Sequence, residues 1–378
     1  VSFVLYCSTK NRNKFLKGIR LVSKAISDNK IRPVISGVYL EAKNDVITLK
    51  GTDMDLTISN FMFGAIESEG EIVFSPQLVD EYLKEIGDEE IQIVEINGTL
   101  LIETENSTSE FTIFESSEYP FIETKVEGQT YEIGREFLLE SLEKVKFAAN
   151  ISTDSVANNC VRIELYDGKI QMAATDSLRL VYSEERLEDA YNGDTRISLP
   201  LNSVEALINT LKSVGDEFVK LNFKGNQISF EIEKINLLSR VIDLPYPDFK
   251  NLVSNGVFNK TITIDTEEFI NVLKRVFVFV KNNSDSKGGA IFYLEGEKFL
   301  IEGISESGKI KEDIILKKDG EDLKIQLNVK YLLDFLQNLD KNKKTIIKLS
   351  NSRGTVLLKN EEVENYLYIT MPLALRDE

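Results

Sequence analysis

NKFLKGI (13–19), GREFLLESL (134–142) and TEEFINVL (266–273) are three versions of one helix opening, a short polar start followed by apolar residues at helical spacing. Some sixty residues after each comes a second helical pattern: SPQLVDEYLKEI (75–86), PLNSVEALINTL (200–211) and NVKYLLDFLQNL (328–339). Phe15, Phe137 and Phe269 stand 122 and 132 residues apart, so the repeat is a whole domain and not a solenoid turn. Between the two helices of each repeat lies a β pair: VISGVYLEAKNDVITLKGTD (34–53), NCVRIELYDGKIQMAATD (159–176) and GAIFYLEGEKFLIEGIS (289–305). Alternating Val, Ile, Tyr and Phe around Asn-Asp, Asp-Gly or Gly-Glu is a hairpin pattern. Further strand pairs follow the second helices, so each domain is α+β, mostly antiparallel strand with two helices. The reading gives domains 1–124, 125–255 and 256–378. The second and third open with strands, YEIGREF and ITIDTEEF, that place small or acidic residues where helix amides need caps.

Composition narrows the chemistry. The 378 residues are 42% hydrophobic and 28% charged, as in globular proteins with ordinary cores. The longest apolar runs, such as Val276–Val280, fall far short of the ~20 residues of a membrane helix, so no membrane association is expected. No basic region precedes a continuous apolar block at the amino end; no secretory signal is expected, and the cytoplasm is the default location. Cys7 and Cys160 fall in different repeats without metal-ligand spacing and read as buried free thiols. The absence of histidine removes every Ser/His or Cys/His arrangement and the commonest zinc ligand. Asp53 and Asp55, or Asp176, could in principle hold magnesium. The Thr-Asp pair recurs at matching repeat positions, as a structural turn would, so no catalytic residue, metal or cofactor is expected.

With 62 acidic and 45 basic residues the net charge is −17, which argues against a surface that coats nucleic acid everywhere. The first helix opposes that average. Between Ser8 and Ile26 it holds Lys10, Arg12, Lys14, Lys17, Arg20 and Lys24 without Asp or Glu, opposite an apolar face of Phe15, Ile19, Val22 and Ile26. Lys144 and Lys146, then Lys274, Arg275 and Lys281, put positive charge late in the matching helices. Basic helices in an acidic chain point to a localised polyanion site. A three-domain scaffold would explain the repeats and the acidity, but not this helix.

ATDSLRLVYSE (174–184), LPYPDFKNLV (244–253) and YLYITMPLAL (366–375) resemble the signature stretches of the bacterial DNA polymerase III β subunit family, the replicative sliding clamps. GTDMDLTI (51–58) and VSKAISDNKIRPVISGVYLEA (22–42) are similar to the family's first domain, and the matches are collinear over the whole chain. The resemblance implies a ring-shaped head-to-tail homodimer of three clamp domains per subunit, with sheets outside and helices around duplex DNA, sliding without reading sequence and serving as a non-catalytic processivity factor. It implies as partners the polymerase III α subunit, the clamp loader and other clamp-motif proteins, held in a peptide pocket between domains two and three. By position that pocket would comprise Thr175, Ser177, Leu178, Arg179, Leu180, Pro247, Leu252, Thr355, Ile369 and Met371. DNA-facing candidates are Lys10, Lys14, Lys17, Arg20, Lys24, Lys30, Arg32 and Lys146; interface candidates are Phe111, Ile113, Val278 and Phe279. The chain departs from the family pattern at Ser177-Leu178, Asn158 and Ala374, and adds Arg376, Asp377 and Glu378.

Overall fold

The computed structural model describes residues 3–7, 9–87, 90–152, 155–187, 194–254, 256–283 and 287–375; the added residues 376–378 lie outside them. Seven α-helices occur among these residues: α1 (Thr9–Val22), α2 (Pro76–Glu85), α3 (Arg135–Lys146), α4 (Leu201–Ser213), α5 (Phe249–Ser254), α6 (Thr266–Val280) and α7 (Val329–Leu336). Six of them match the six helical patterns, and α5 is a short addition. Asp265 caps α6 by accepting from the Glu268 amide at 2.9 Å, and Asn328 caps α7 through the Tyr331 amide at 3.0 Å. The opening strands Gln129–Gly134 and Lys260–Asp265 are present, and the first repeat has one as well, Phe3–Cys7.

The hairpins close where the turn residues stand. Asn44-Asp45, Asn97-Gly98 and Asp167-Gly168 all take positive φ, the geometry whose twist matches paired strands. The registers follow, Lys43 opposite Val46, Ile96 opposite Thr99 and Tyr166 opposite Lys169.

By contacts the chain forms two compact units, 1–139 with 202–241, and 140–201 with 242–378. The central repeat therefore contributes to both. The first unit holds a 13-stranded sheet in which strand Ile235–Arg240 of the central repeat pairs antiparallel with strand Leu56–Phe63 of the first. Helix α1 buries Phe15, Leu16, Ile19 and Val22 over strands Val46–Thr52 and Leu56–Phe63, and packs along α2. Gly18 lets the helix lie close there: a Cβ would come within 2.8 Å of Leu49 Cδ1 and 2.9 Å of Met62 Cε, so those side-chain ends would have to shift.

The second unit holds a 9-stranded and a 4-stranded sheet. In the larger, strand Arg179–Arg186 of the central repeat pairs with strand Tyr366–Thr370 of the third, with Leu180 opposite Ile369. Helix α6 lies against α7 and on strands Lys298–Ser305 and Gly308–Ile315. Cys160 is a buried free thiol, as expected, and burial pushes its pKa up to about 11. The side chain of Cys7 lies outside the described residues.

Candidate functional site

The Thr-Asp turns are built identically in both units. In the second, the Thr175 hydroxyl donates to Arg179 O at 2.6 Å and accepts from Ser177 N at 3.1 Å. Asp176 Oδ1 accepts from the amides of Leu178 and Arg179, both at 3.0 Å. In the first, Asp53 Oδ1 accepts from Asp55 N and Leu56 N at 3.0 and 2.7 Å, and Thr52 Oγ1 accepts from Met54 N at 3.0 Å. These carboxylates are occupied with their own backbone, and no cluster of three potential metal ligands occurs among the described residues.

The second turn holds Ser177 at φ +75 and turns Leu178 outward, where it is 53% exposed. Arg179 folds the other way and is buried. Its Nε donates to Asp176 Oδ2 at 2.9 Å, Nη1 to Asp334 Oδ2 at 2.7 Å and Nη2 to Phe147 O at 2.8 Å, while its guanidinium sits 4.2 Å from the Tyr331 ring centroid. Burial works against that charge, but the bonds to Asp334 and the field of Asp176 outweigh it and hold the pKa above its ordinary value. Thr175 and Arg179 therefore build the frame, and their polar atoms are committed.

The apolar members come together on that frame. Leu180 and Ile369 are cross-strand partners in a buried cluster with Ala173, Phe249 and Leu357. The amide of Met371 donates to Leu178 O at 2.9 Å, which holds that 39% exposed side chain beside the turn. Thr355 is half-buried and precedes Val356, the partner of Thr370. Pro247 is exposed, and Leu252, one turn after Phe249 on α5, is 54% exposed. Tyr246, not among the expected residues, anchors this segment. Its hydroxyl donates to Ala173 O at 3.3 Å and its ring meets Phe249 edge-on at 6.2 Å; burial raises its pKa and keeps the hydroxyl a donor. Asn158 Nδ2 donates to Ser177 Oγ at 2.8 Å, so two of the positions that depart from the family pattern are partners.

The basic helix is more divided than its sequence suggests. Arg12 is buried and donates from Nη1 to Ile86 O at 2.7 Å and to Gly87 O, closing the carboxyl end of α2. Arg20 pairs bidentately with Asp80 of α2 at 2.5 and 3.2 Å. Lys14, Lys17 and Lys24 are exposed and have no ion-pair partner among the described residues. The side chain of Lys10 lies outside the described residues. Lys30 and Arg32 are exposed on a loop shaped by Asn29, whose Oδ1 accepts from Ile31 N and Arg32 N at 3.0 and 2.8 Å. Lys146 is half-buried at the end of α3, and Arg275 is paired with Glu312 at 2.7 and 2.8 Å.

Of the interface candidates, Phe111 is covered within the chain, its ring 5.7 Å from Tyr82. Ile113 and Phe279 are half-buried and Val278 is 62% exposed. Strand Thr108–Phe114 pairs over residues 108–112 on one side only, and strand Gly308–Ile315 is the edge of its sheet. Each therefore presents open backbone groups.

Three family profiles match the chain in order: "DNA polymerase III beta subunit, N-terminal domain" over residues 8–123, the central domain over 132–248 and the C-terminal domain over 257–374. The chain is 23% identical to the beta sliding clamp of Bacillus subtilis over 97% of its length and 98% of that protein. It is 26% identical to the beta sliding clamp of Streptococcus pneumoniae over 96% of its length and 98% of that protein. In fold it is similar to the DNA polymerase III beta subunit of Thermotoga maritima, with a TM-score of 0.90, 23% identity, and coverage of 99% of this chain and 100% of that one.

Proposed function

The chain belongs to the family of DNA polymerase III beta subunits, the bacterial beta sliding clamps, and from that premise we propose which of its residues carry each part of a clamp's work. It is a processivity factor, a non-catalytic subunit that encircles duplex DNA as a homodimeric ring and tethers polymerase and other clamp-binding proteins. We place its domain boundaries near Thr124 and Asn255, the latter outside the described residues, and its site of action in the cytoplasm.

DNA is held in the first unit by the exposed face of α1, through Lys14, Lys17 and the helix-start Lys10, by Lys24 in the 3-10 turn that follows it and by Arg20, Lys30 and Arg32, and in the second unit by Lys146. The observation that carries this reading is that Lys14 and Lys17 on α1 and Lys24 in the turn after it are exposed and without an ion-pair partner among the described residues, in a chain of net charge −17. Phosphates are attracted to that face and repelled elsewhere, and ammonium groups on phosphates read no base edges, so the ring slides. At physiological salt the field of each lysine fades over about 8 Å, which keeps the attraction local.

The peptide pocket is the exposed apolar surface of Leu178, Met371 and Leu252 over Leu180 and Ile369, with Pro247, Thr355 and Ser177 at its edge and Thr175 and Arg179 behind it. Apolar walls with a flexible methionine suit short linear motifs. Ring closure joins the open edge of strand Thr108–Phe114 in one protomer to that of strand Gly308–Ile315 in its partner, with Ile113 facing the partner's Val278 and Phe279 and Phe111 supporting the strand from within on Tyr82. Such a contact is heterologous and closes by symmetry.

The test is retention on DNA after loading by the clamp loader with ATP. Retention on circles with loss from linear ends is the expected result. Equal retention on both would mean direct affinity without encirclement, and Lys14→Glu with Lys17→Glu leaving circle retention unchanged at low salt would remove α1 from the DNA path.

A further inference from the structure

The first unit holds a cavity of about 1010 Å³ beside α1 that sliding on duplex DNA does not explain. One wall is the exposed side of α1, with Lys14 and Lys17, continued by Lys24 of the 3-10 turn Ser23–Ala25; the other side carries Phe61, Phe63 and Lys234. Phe63 is 67% exposed, and the Lys234 ammonium lies 4.6 Å from its ring centroid. Phe61 is held in place by its amide, which donates to Lys234 O at 2.8 Å. Asp45, Glu233 and the Asp80-paired Arg20 also line the cavity, so four ammonium groups without an ion-pair partner among the described residues share it with two carboxylates.

Three exposed lysines beside an aromatic ring that a fourth, Lys234, now covers call for a ligand that is both anionic and flat. Duplex DNA is only the first, because its bases are stacked inside and present no face to Phe63. An unpaired nucleotide is both, with a phosphate for the lysines and a base for the aromatic ring. An acidic peptide bearing an apolar residue has similar charge. The nucleotide is favoured because Lys14, Lys17 and Lys24 belong equally to the cavity and to the surface assigned to DNA, so a strand running along α1 reaches the cavity without leaving its phosphate contacts.

We propose that this cavity takes an unpaired nucleotide of single-stranded DNA, its phosphate on Lys14, Lys17 or Lys24 and its base stacked on Phe63 in place of the Lys234 ammonium. The proposal rests on the reading of α1 as the DNA-facing helix. It gives the clamp a second mode of contact, with a strand that is frayed or displaced, distinct from sliding on paired DNA.

The experiment is fluorescence anisotropy of labelled (dT)10 with the full-length protein at low salt, comparing the unaltered chain with Phe63→Ala and Phe63→Trp. Phe63→Ala is expected to weaken (dT)10 binding roughly tenfold, the scale of one lost base stack, and Phe63→Trp to restore it. Binding of a blunt duplex should be the same in all three. Equal (dT)10 affinity for the unaltered chain and Phe63→Ala overturns the proposal, as does absence of (dT)10 binding where a Glu/Phe-containing peptide binds in a Phe63-dependent way. Because Phe63 is exposed, its replacement leaves the core intact. Loader-dependent retention of Phe63→Ala on circular DNA separates the two readings. Retained circles with unaltered (dT)10 affinity refute this inference alone, whereas Phe63-dependent (dT)10 binding without circle retention refutes the clamp assignment of α1.

Discussion

Two strand junctions in this molecule share one backbone and differ in almost every side chain that faces outward. In the first unit Arg240 N donates to Asp55 O at 2.8 Å; in the second Met371 N donates to Leu178 O at 2.9 Å. Leu238 stands opposite Thr57 as Ile369 stands opposite Leu180. Even the linkers agree, since Tyr119 donates to Lys50 O at 3.4 Å as Tyr246 donates to Ala173 O at 3.3 Å, each followed by proline. On this common frame one junction carries Asp55, Thr57 and Arg240, and the other Leu178, Leu180 and Met371. The frame is thus a product of the repeat, and the peptide pocket is a set of side chains added to one copy of it.

The largest difference lies inside the turn. Leu56 fills in the first junction the position that Arg179 fills in the second, and both are buried. Leucine needs only packing, whereas Arg179 holds Asp176, Asp334 and the Phe147 carbonyl together. Arg179→Ala should therefore cost about 3 kcal/mol, because the partly buried Asp176 loses its counter-ion, Asp334 is left with Lys330 alone and the Phe147 carbonyl loses its donor. Calorimetric unfolding measures this. A loss below about 1 kcal/mol would mean that water replaces the guanidinium freely and that the arginine is not part of the frame.

Next in size is the effect on peptide binding. Leu180→Thr with Met371→Arg writes the first junction's chemistry into the second. Removing two apolar contacts of about 1.5 kcal/mol each should weaken a clamp-binding peptide roughly a hundredfold. Met371→Ala alone should weaken it several-fold, read by anisotropy, with the dimer unchanged in sedimentation. Loss of peptide and dimer together would show that these residues are simply core.

Much of this arrangement is legible in the sequence because it is local. The Thr-Asp turns, the Asn-Gly and Asp-Gly hairpins and the apolar faces of α1 and α6 each depend on residues within one turn or hairpin of each other. Pairings over long separations are not legible in this way. Nothing near Arg12 or Arg20 indicates that the first closes the end of α2 and the second pairs with Asp80, so the six cations of the helix read as one free field. The partnership of strand Leu56–Phe63 with Ile235–Arg240, and with it the sharing of the central repeat between two units, is hidden for the same reason. The Tyr119-Pro120 counterpart of Tyr246-Pro247 is legible once the repeats are aligned against each other, although only the second carries a family signature.

A smaller contrast concerns strain. Met54 and Ser177 hold matching positions at φ +81 and +75, where a side chain costs about 1 kcal/mol relative to glycine. Met54→Gly should stabilise the protein by about that amount in urea unfolding. Ser177→Gly should gain less, because it also deprives buried Asn158 of the hydroxyl that accepts its amide. Equal gains would show that the Asn158–Ser177 bond contributes nothing.

The smallest effect is expected at the rim of the first junction. Asp55 and Arg240 approach to 3.8 Å with more than half of each side chain exposed, so Asp55→Ala should change stability by less than about 0.5 kcal/mol. The backbone bond from Arg240 N to Asp55 O survives this change, which makes the site suitable for grafting. Asp55→Leu with Thr57→Leu and Arg240→Met supplies the second junction's side chains to the first frame. What the graft still lacks is the cover: Phe249 lies tilted against Tyr182 at 5.6 Å, whereas the first junction has Ser59 in the place of Tyr182, its hydroxyl paired with Thr124 at 3.0 Å. An exposed leucine and methionine without an aromatic wall leave water on one side of any bound peptide, so calorimetric titration should still give one peptide per subunit. Two per subunit would mean that three side chains on the repeated frame suffice, and that the aromatic cover tunes affinity without creating the site.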